Sequence, residues 1–130
     1  MKLSEGGVDS PGQTAVAFLQ LASSGRVREA YDKYVAPDFI HHNAYYPADR
    51  ESLAKGMEEN ARQFPNKIFE VQRVLQDGDL VAVHSRVKLK PEGPEIATVH
   101  IFRFEHGLIA ELWDVGQTAP DNSPNEIGMF

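Results

Sequence analysis

The sequence predicts one α+β domain in which three helices pack on the concave face of a curved, mainly antiparallel sheet. Apolar residues recur at helical spacing as far as Pro65, and from Lys67 onward they alternate with polar residues. The chain has 130 residues, of which 42% are hydrophobic and 25% charged, as in a single globular domain. We therefore expect one domain over residues 1–130, with a core over 11–117 and an irregular tail over 118–130.

The first two helices are predicted from their ends. Ser10 suits a helix cap and Gln13 completes a capping box, with Pro11 between them at the first helical position. Gly25 ends this helix. A second, short helix follows over residues 27–35.

The third helix is preceded by a short extended segment over residues 38–43. Asp49 is placed to cap the helix, and Pro65 lies just beyond its end. One face of the helix carries the stripe Leu53, Met57, Asn60, Ala61 and Phe64. The period-two region then divides at turn residues into four antiparallel strands: Ile68–Leu75, Leu80–Lys90, Glu95–Glu105 and Leu108–Gln117.

The turn of the last hairpin decides which residues share a face with Asp114. A two-residue turn at His106-Gly107 needs positive φ at both positions, which suits histidine poorly. A three-residue turn with a bulge needs positive φ only at Gly107, and we prefer it. This turn pairs His100 with Leu112 and Thr98 with Asp114. One face then carries Thr98, His100, Phe102, Phe104, Leu108, Ala110, Leu112 and Asp114. This face is apolar near the turn and polar at its far end, as in the wall of a pocket.

Composition excludes several classes of function. The net charge is −6 and lysines and arginines are scattered, so we expect neither a nucleic-acid partner nor attraction to an anionic membrane. The chain has no cysteine, which excludes disulfides and thiolate metal sites. No signal sequence and no apolar run of membrane-spanning length is evident, so we expect a cytoplasmic protein.

Three segments carry a resemblance to a known family. "FIHHN", "GDLVAVHSRV" and "TVHIFRFEHGLIAELWDVGQ" resemble the SnoaL-like polyketide cyclases of the nuclear transport factor 2-like superfamily, and the resemblance covers residues 11–117. It implies a cone-shaped α+β barrel with a deep pocket, and homodimers that form through the sheet. It also implies that the aspartate at Asp114 is the acid/base of an intramolecular aldol condensation without a cofactor, with His100 nearby.

The strand that contains His100 does not match the pattern of a related class of enzymes. The paired aspartates and arginine of the epoxide hydrolases of this superfamily are not evident, because the matching strand offers Thr98, His100 and Phe102. Two classes of function stay open. One is a cofactor-independent acid/base enzyme for a small apolar carbonyl compound, and the other is a non-catalytic protein that binds a small ligand in the same fold.

Further residues are candidates for substrate binding. Neighbouring strand residues point to opposite faces, so at most one of His41 and His42 faces inward, and the family pattern favours His42. We expect no metal site, because the chain has neither a helical His-x-x-x-His pattern nor a cysteine pair. The expected catalytic pair is Asp114 and His100, and the expected substrate-binding residues are His42, Asn43, Thr98, Phe102, Leu112, Tyr46 and Met57.

The outward face of the last two strands predicts self-association. It is too apolar for a fully solvated surface, and a homodimer through the sheet would bury it. Arg103 and Glu111 add an ion pair to this face. Its expected apolar residues are Val99, Ile101, Ile109, Trp113 and Val115.

Overall fold

The computed structural model describes residues 9–130, and these form three helices and five strands. In chain order the elements are α1 (Pro11–Ser23), α2 (Val27–Tyr34), β1 (Val35–His41), α3 (Arg50–Gln63), β2 (Ile68–Asp77), β3 (Leu80–Lys88), β4 (Ile96–Glu105) and β5 (Leu108–Thr118). Residues 119–130 contain turns but neither a helix nor a strand. None of the helices in the described part of the chain is long and apolar enough to span a membrane.

The sheet has the strand order β1-β5-β4-β3-β2. Strands β2 to β5 form the predicted antiparallel meander, and β1 is parallel to β5. The sheet is therefore mixed, and it stays open with β1 and β2 as its edges. Helix α1 packs on β2 and β3, and α3 packs near β1. The α+β class and the packing of three helices on one sheet are confirmed.

Both predicted caps form. The Ser10 hydroxyl accepts from the Gln13 backbone N–H at 3.2 Å, and the Gln13 side chain accepts from the Ser10 N–H at 2.8 Å. The Asp49 carboxylate accepts from the Ser52 backbone N–H at 2.9 Å. Helix α2 ends at Tyr34, one residue before the predicted end, because Val35 already pairs with β5.

The turn of the β4–β5 hairpin differs from the prediction. His106 and Gly107 form a two-residue turn with φ values of 51° and 79°. This turn pairs Phe104 with Ile109, and Ile109 is fully buried, whereas the sequence placed it on the outward face. A bulge at Ala110 then adds one residue to β5.

This bulge restores the predicted faces beyond it. Phe102 pairs with Leu112, and His100 pairs directly with Asp114. The predicted pairing of His100 with Leu112 is thus wrong by two residues. A shift of two residues keeps every side chain on its face, so His100, Phe102, Leu112 and Asp114 share the inner face as expected.

The core lies between the helices and this inner face. Phe18 of α1 makes edge-to-face contacts with Tyr31 and Phe102, at centroid distances of 5.4 Å and 5.9 Å. Val81 and Val83 of β3 are fully buried in the same cluster. This packing fills the end of the domain near the β4–β5 turn and leaves the other end open.

Candidate active site

A cavity of about 290 Å³ occupies the open end between α1, α3 and the inner face of the sheet. Its volume is close to the lower range of pockets that hold small organic ligands. Apolar side chains from both helices and from β2, β3 and β4 form most of its wall. Of the residues predicted from sequence, the lining includes Asn43, Tyr46, Met57, Thr98, His100 and Asp114.

His100 and Asp114 are brought together as a cross-strand pair. Directly opposed residues of an antiparallel pair have side chains on the same face, with Cβ atoms about 5 Å apart. Both side chains therefore reach the same part of the cavity wall. The sequence placed them on one face and the structure also places them opposite each other.

Asn43 holds one oxygen of the Asp114 carboxylate. Its Nδ2 donates to Asp114 Oδ2 at 2.9 Å, and its Oδ1 accepts from the Tyr45 backbone N–H at 3.0 Å. The second bond sets the orientation of the amide, because an oxygen that accepts from Tyr45 leaves the amide nitrogen to face Asp114. Among the described residues, no hydrogen bond is made to the other oxygen, Oδ1 of Asp114, and Asp114 lines the cavity.

His100 is neutral at physiological pH. Burial lowers the pKa of its imidazole from 6.5 to about 4, and the negative charge of Asp114 opposes part of this shift. A neutral imidazole has one N–H donor and one acceptor nitrogen. The ring is held by Phe102, with ring centroids 6.2 Å apart and an interplanar angle of 18°.

Three buried polar atoms at this end of the sheet have no hydrogen-bond partner among the described residues. They are His100 Nδ1, Thr98 Oγ1 and Ser85 Oγ. Ser85 and Thr98 are paired across β3 and β4, so the three atoms follow one region of the inner face. Buried polar groups are nearly always satisfied, so each of these atoms calls for a partner that the described residues do not supply. Thr98 and His100 belong to residues that line the cavity, whereas Ser85 does not.

The orientation expected for the two neighbouring histidines is wrong. His42 points away from the cavity, where its ring stacks on Trp113 at 5.1 Å and its Nε2 lies 2.7 Å from Glu111 Oε2. His41 points inward and is buried. The two histidines do point to opposite faces, as strand alternation predicts. Alternation alone does not show which of them faces the core.

His41 positions the loop that carries Asn43. Its Nδ1 accepts from the Asn43 backbone N–H at 3.1 Å, so its Nε2–H donates to the Pro47 carbonyl at 2.7 Å. The ring thus joins the two ends of the turn between β1 and α3. No role was predicted for His41 from the sequence.

Phe102 and Leu112 were expected to contact substrate, but they do not line the cavity. Both are completely buried in the hydrophobic core. Phe102 instead supports the ring of His100 from below. They contribute to the site by forming the buried apolar layer next to His100 and Asp114.

Tyr46 and Gly56 form a close contact at the cavity wall. A Cβ atom at Gly56 would lie 2.5 Å from two ring atoms of Tyr46. The glycine on α3 therefore permits the tyrosine of the preceding loop to approach the helix closely. This contact explains why Tyr46 lines the cavity as predicted.

Lys67 lines the cavity and was missed by the sequence analysis. The signal was present, because Lys67 lies two residues before Phe69 and alternate residues share one face of an extended chain. Within the described residues, no group of three or more histidine, aspartate or glutamate side chains is placed to hold a metal ion.

The family is shown by comparison with known proteins. Residues 15–112 match the SnoaL-like domain, and the chain therefore belongs to this family. The match ends two residues before Asp114. The comparison with curated protein sequences gave no match.

Solved structures share the fold. IdmH, a putative polyketide cyclase from Streptomyces antibioticus, is 25% identical, with a TM-score of 0.69 over 82% of this chain and 91% of IdmH. A loop-truncation variant of IdmH gives 26% identity and a TM-score of 0.71 over 82% and 92% of the two chains. A putative polyketide cyclase from Acidithiobacillus ferrooxidans has a TM-score of 0.69 at 20% identity, over 89% and 91%. The family and these neighbours support a cyclase-type function in general terms.

Proposed function

We propose that this protein is a cofactor-independent acid/base enzyme that acts on a small apolar carbonyl compound, by aldol cyclisation or a related isomerisation. The observation that carries the proposal is the cross-strand pair of Asp114 and His100 in the wall of the cavity. The two groups differ in charge and in role. One is a carboxylate that can accept a proton, and the other is a neutral hydrogen-bond donor.

Asp114 is the proposed general base. The carboxylate removes a proton from the carbon next to the substrate carbonyl, and the electrons of that C–H bond form the enolate. Asn43 holds Oδ2, so Oδ1 is the atom that takes the proton. Asn43 is a positioning residue in this scheme, because it orients the base and does not touch the reacting carbon.

His100 is the proposed electrophile. A neutral imidazole N–H donates a hydrogen bond to the substrate carbonyl oxygen, where negative charge develops as the enolate forms. Burial keeps the ring neutral over the physiological range. The unpartnered hydroxyl of Thr98 is a further donor that can orient the oxygen.

The aldol step conserves atoms and electrons. The enolate carbon attacks a second carbonyl carbon of the same molecule, a C–C bond forms, and the C=O π electrons move to that oxygen. The resulting alkoxide takes the proton back from the Asp114 carboxylic acid. The net reaction needs no oxidant, reductant or co-reactant.

Exchange of α-protons tests the proposal without knowledge of the natural substrate. Wild-type protein in D₂O is mixed with apolar bicyclic ketones such as 2-tetralone, and loss of the α-proton signal is followed by NMR. We expect exchange faster than in buffer alone. Ketones that bind in the cavity without accelerated exchange would instead support the alternative, a non-catalytic ligand-binding protein.

We also propose that the protein forms a homodimer through the outer face of the sheet. On this face the side chains of Val115 and Ile40 are 67% and 45% exposed. Ile101 of β4 and Trp113 of β5 lie on the same face and are paired with each other. Ile109 does not contribute, because it is buried in the core. A second copy of this face would cover the apolar residues together with the Arg103–Glu111 ion pair.

A further inference from the structure

Lys67 is the cationic residue of the cavity. It follows the turn after α3, and its backbone N–H donates to the Phe64 carbonyl at 3.2 Å. The next residue, Ile68, pairs with Lys88, and the one after it, Phe69, pairs with Val87 in the cavity wall. Lys67 therefore shares the inner face with Phe69, and Lys88 lies on the outer face.

The charge of Lys67 lacks a counter-ion in the described part of the chain. Each ion pair found among residues 9–130 involves an arginine or a histidine. Burial lowers the pKa of the Lys67 ammonium, and no neighbouring carboxylate offsets that effect. A partly desolvated ammonium without a partner is unfavourable unless another group supplies negative charge.

The carboxylate of the cavity, Asp114, is at a distance from Lys67. Lys67 precedes β2 and Asp114 lies on β5, and the two strands are separated by β3 and β4. The wall between them is apolar, with Val87, Leu89 and Ile96 among its residues. The cavity thus has a reactive end at Asp114 and a cationic end at Lys67.

We infer that the ligand of this cavity is an organic acid, whose carboxylate binds Lys67 while its apolar body lies against Val87, Leu89 and Ile96. Asn60 of α3 lines the same cavity and offers an amide N–H₂ as a second donor to the carboxylate. A carboxylate supplies the negative charge that Lys67 lacks, and binding at this end directs the other end of the molecule toward Asp114 and His100.

This inference rests on the proposed function in one respect, because it names the substrate class of the same cavity. A carboxylate held at Lys67 fixes the distance from the acid group to the reacting carbonyl. It also explains how a largely apolar cavity distinguishes one carbonyl compound from another. The substrate class is therefore an apolar keto acid.

Matched acids and amides test the inference by binding alone. The probes are 2-naphthoate and the aliphatic acids from hexanoate to decanoate, each paired with its neutral primary amide, and titration calorimetry measures affinity at neutral pH. The variant Lys67→Met removes the charge and keeps the apolar stem. Lys88→Met makes the same change on the opposite face of the sheet and serves as the control.

We expect wild type and Lys67→Arg to bind at least one acid more tightly than its amide. Lys67→Met should bind that acid about tenfold more weakly, a change of about 1.4 kcal/mol, and its amide with little change, since only the acid loses a charged partner. Lys88→Met should behave as wild type. Urea unfolding confirms that each variant is folded.

Two outcomes overturn the inference. One is a wild type in which no acid binds more tightly than its amide. The other is a preference for acids that Lys67→Met retains in full. Neither outcome bears on proton transfer, because the readout is binding. Conversely, a failure of α-proton exchange leaves a preference for carboxylates intact.

Discussion

Replacing His100 with phenylalanine should make the protein more resistant to acid. In the folded protein burial lowers the pKa of His100 from 6.5 to about 4, so between these pH values the unfolded chain binds a proton that the folded protein does not. Stability therefore falls as the pH falls through this window. Above pH 6.5 the residue imposes no such penalty.

The size of the effect follows from the two pKa values. Proton linkage gives a loss in the free energy of unfolding on the order of 1 kcal/mol at about pH 5.5, growing to on the order of 2 to 3 kcal/mol at about pH 4.5. Phenylalanine has a similar shape and no titrating group, and it removes the unpartnered Nδ1. The variant should lack the loss of stability that comes from His100 and keep the loss that comes from protonation of carboxylates.

Urea unfolding of both proteins across this pH range measures the difference. As the pH falls, the unfolding free energy of wild type should decrease more than that of His100→Phe. A difference that stays within about 0.5 kcal/mol from neutral pH to about pH 4.5 would show that His100 is not buried in its neutral form. NMR adds a sign test: Asp114→Asn should lower the pKa of His100 further, because Asp114 is the charge that raises it.

Two further predictions concern the loop and the sheet. Asn43→Ala should slow α-proton exchange by about tenfold while the affinity for a neutral ketone stays nearly unchanged, because the amide orients the base; unaltered exchange would remove Asn43 from the mechanism. Sedimentation of wild type at micromolar concentration should give a dimer, and Val115→Lys should give a monomer, since it places charge on the proposed interface. A monomeric wild type would refute the interface.

The sequence predicted the elements well because their signals are local. The Ser10–Gln13 capping box and the Asp49 cap both form at the predicted residues. The change to period-two spacing after Pro65 marks the start of the antiparallel strands. Each of these signals depends on neighbours within a few positions, so tertiary packing had little to alter.

The site was predicted less completely because its geometry depends on packing between elements. His106 adopts a positive φ in the two-residue turn, although histidine has a low propensity for that conformation. The bulge at Ala110 then shifts the register so that the inner face beyond it is the predicted one. His41 faces inward because it lies opposite Leu112 of β5 on the inner face, and no local pattern shows that register. Lys67 lies outside the regular strand, so its place in the cavity was overlooked.

The measurement that tests the central claim most directly compares α-proton exchange of 2-tetralone by wild type, Asp114→Asn and Glu111→Gln. The last variant makes the same chemical change on the outer face of β5, where Glu111 contacts His42. Asp114→Asn should bind the ketone about as tightly as wild type and lose at least about a hundredfold in exchange rate, as expected for a general base. Glu111→Gln should keep the wild-type rate. Exchange by Asp114→Asn at the wild-type rate would contradict the account, because it would show that another group removes the proton.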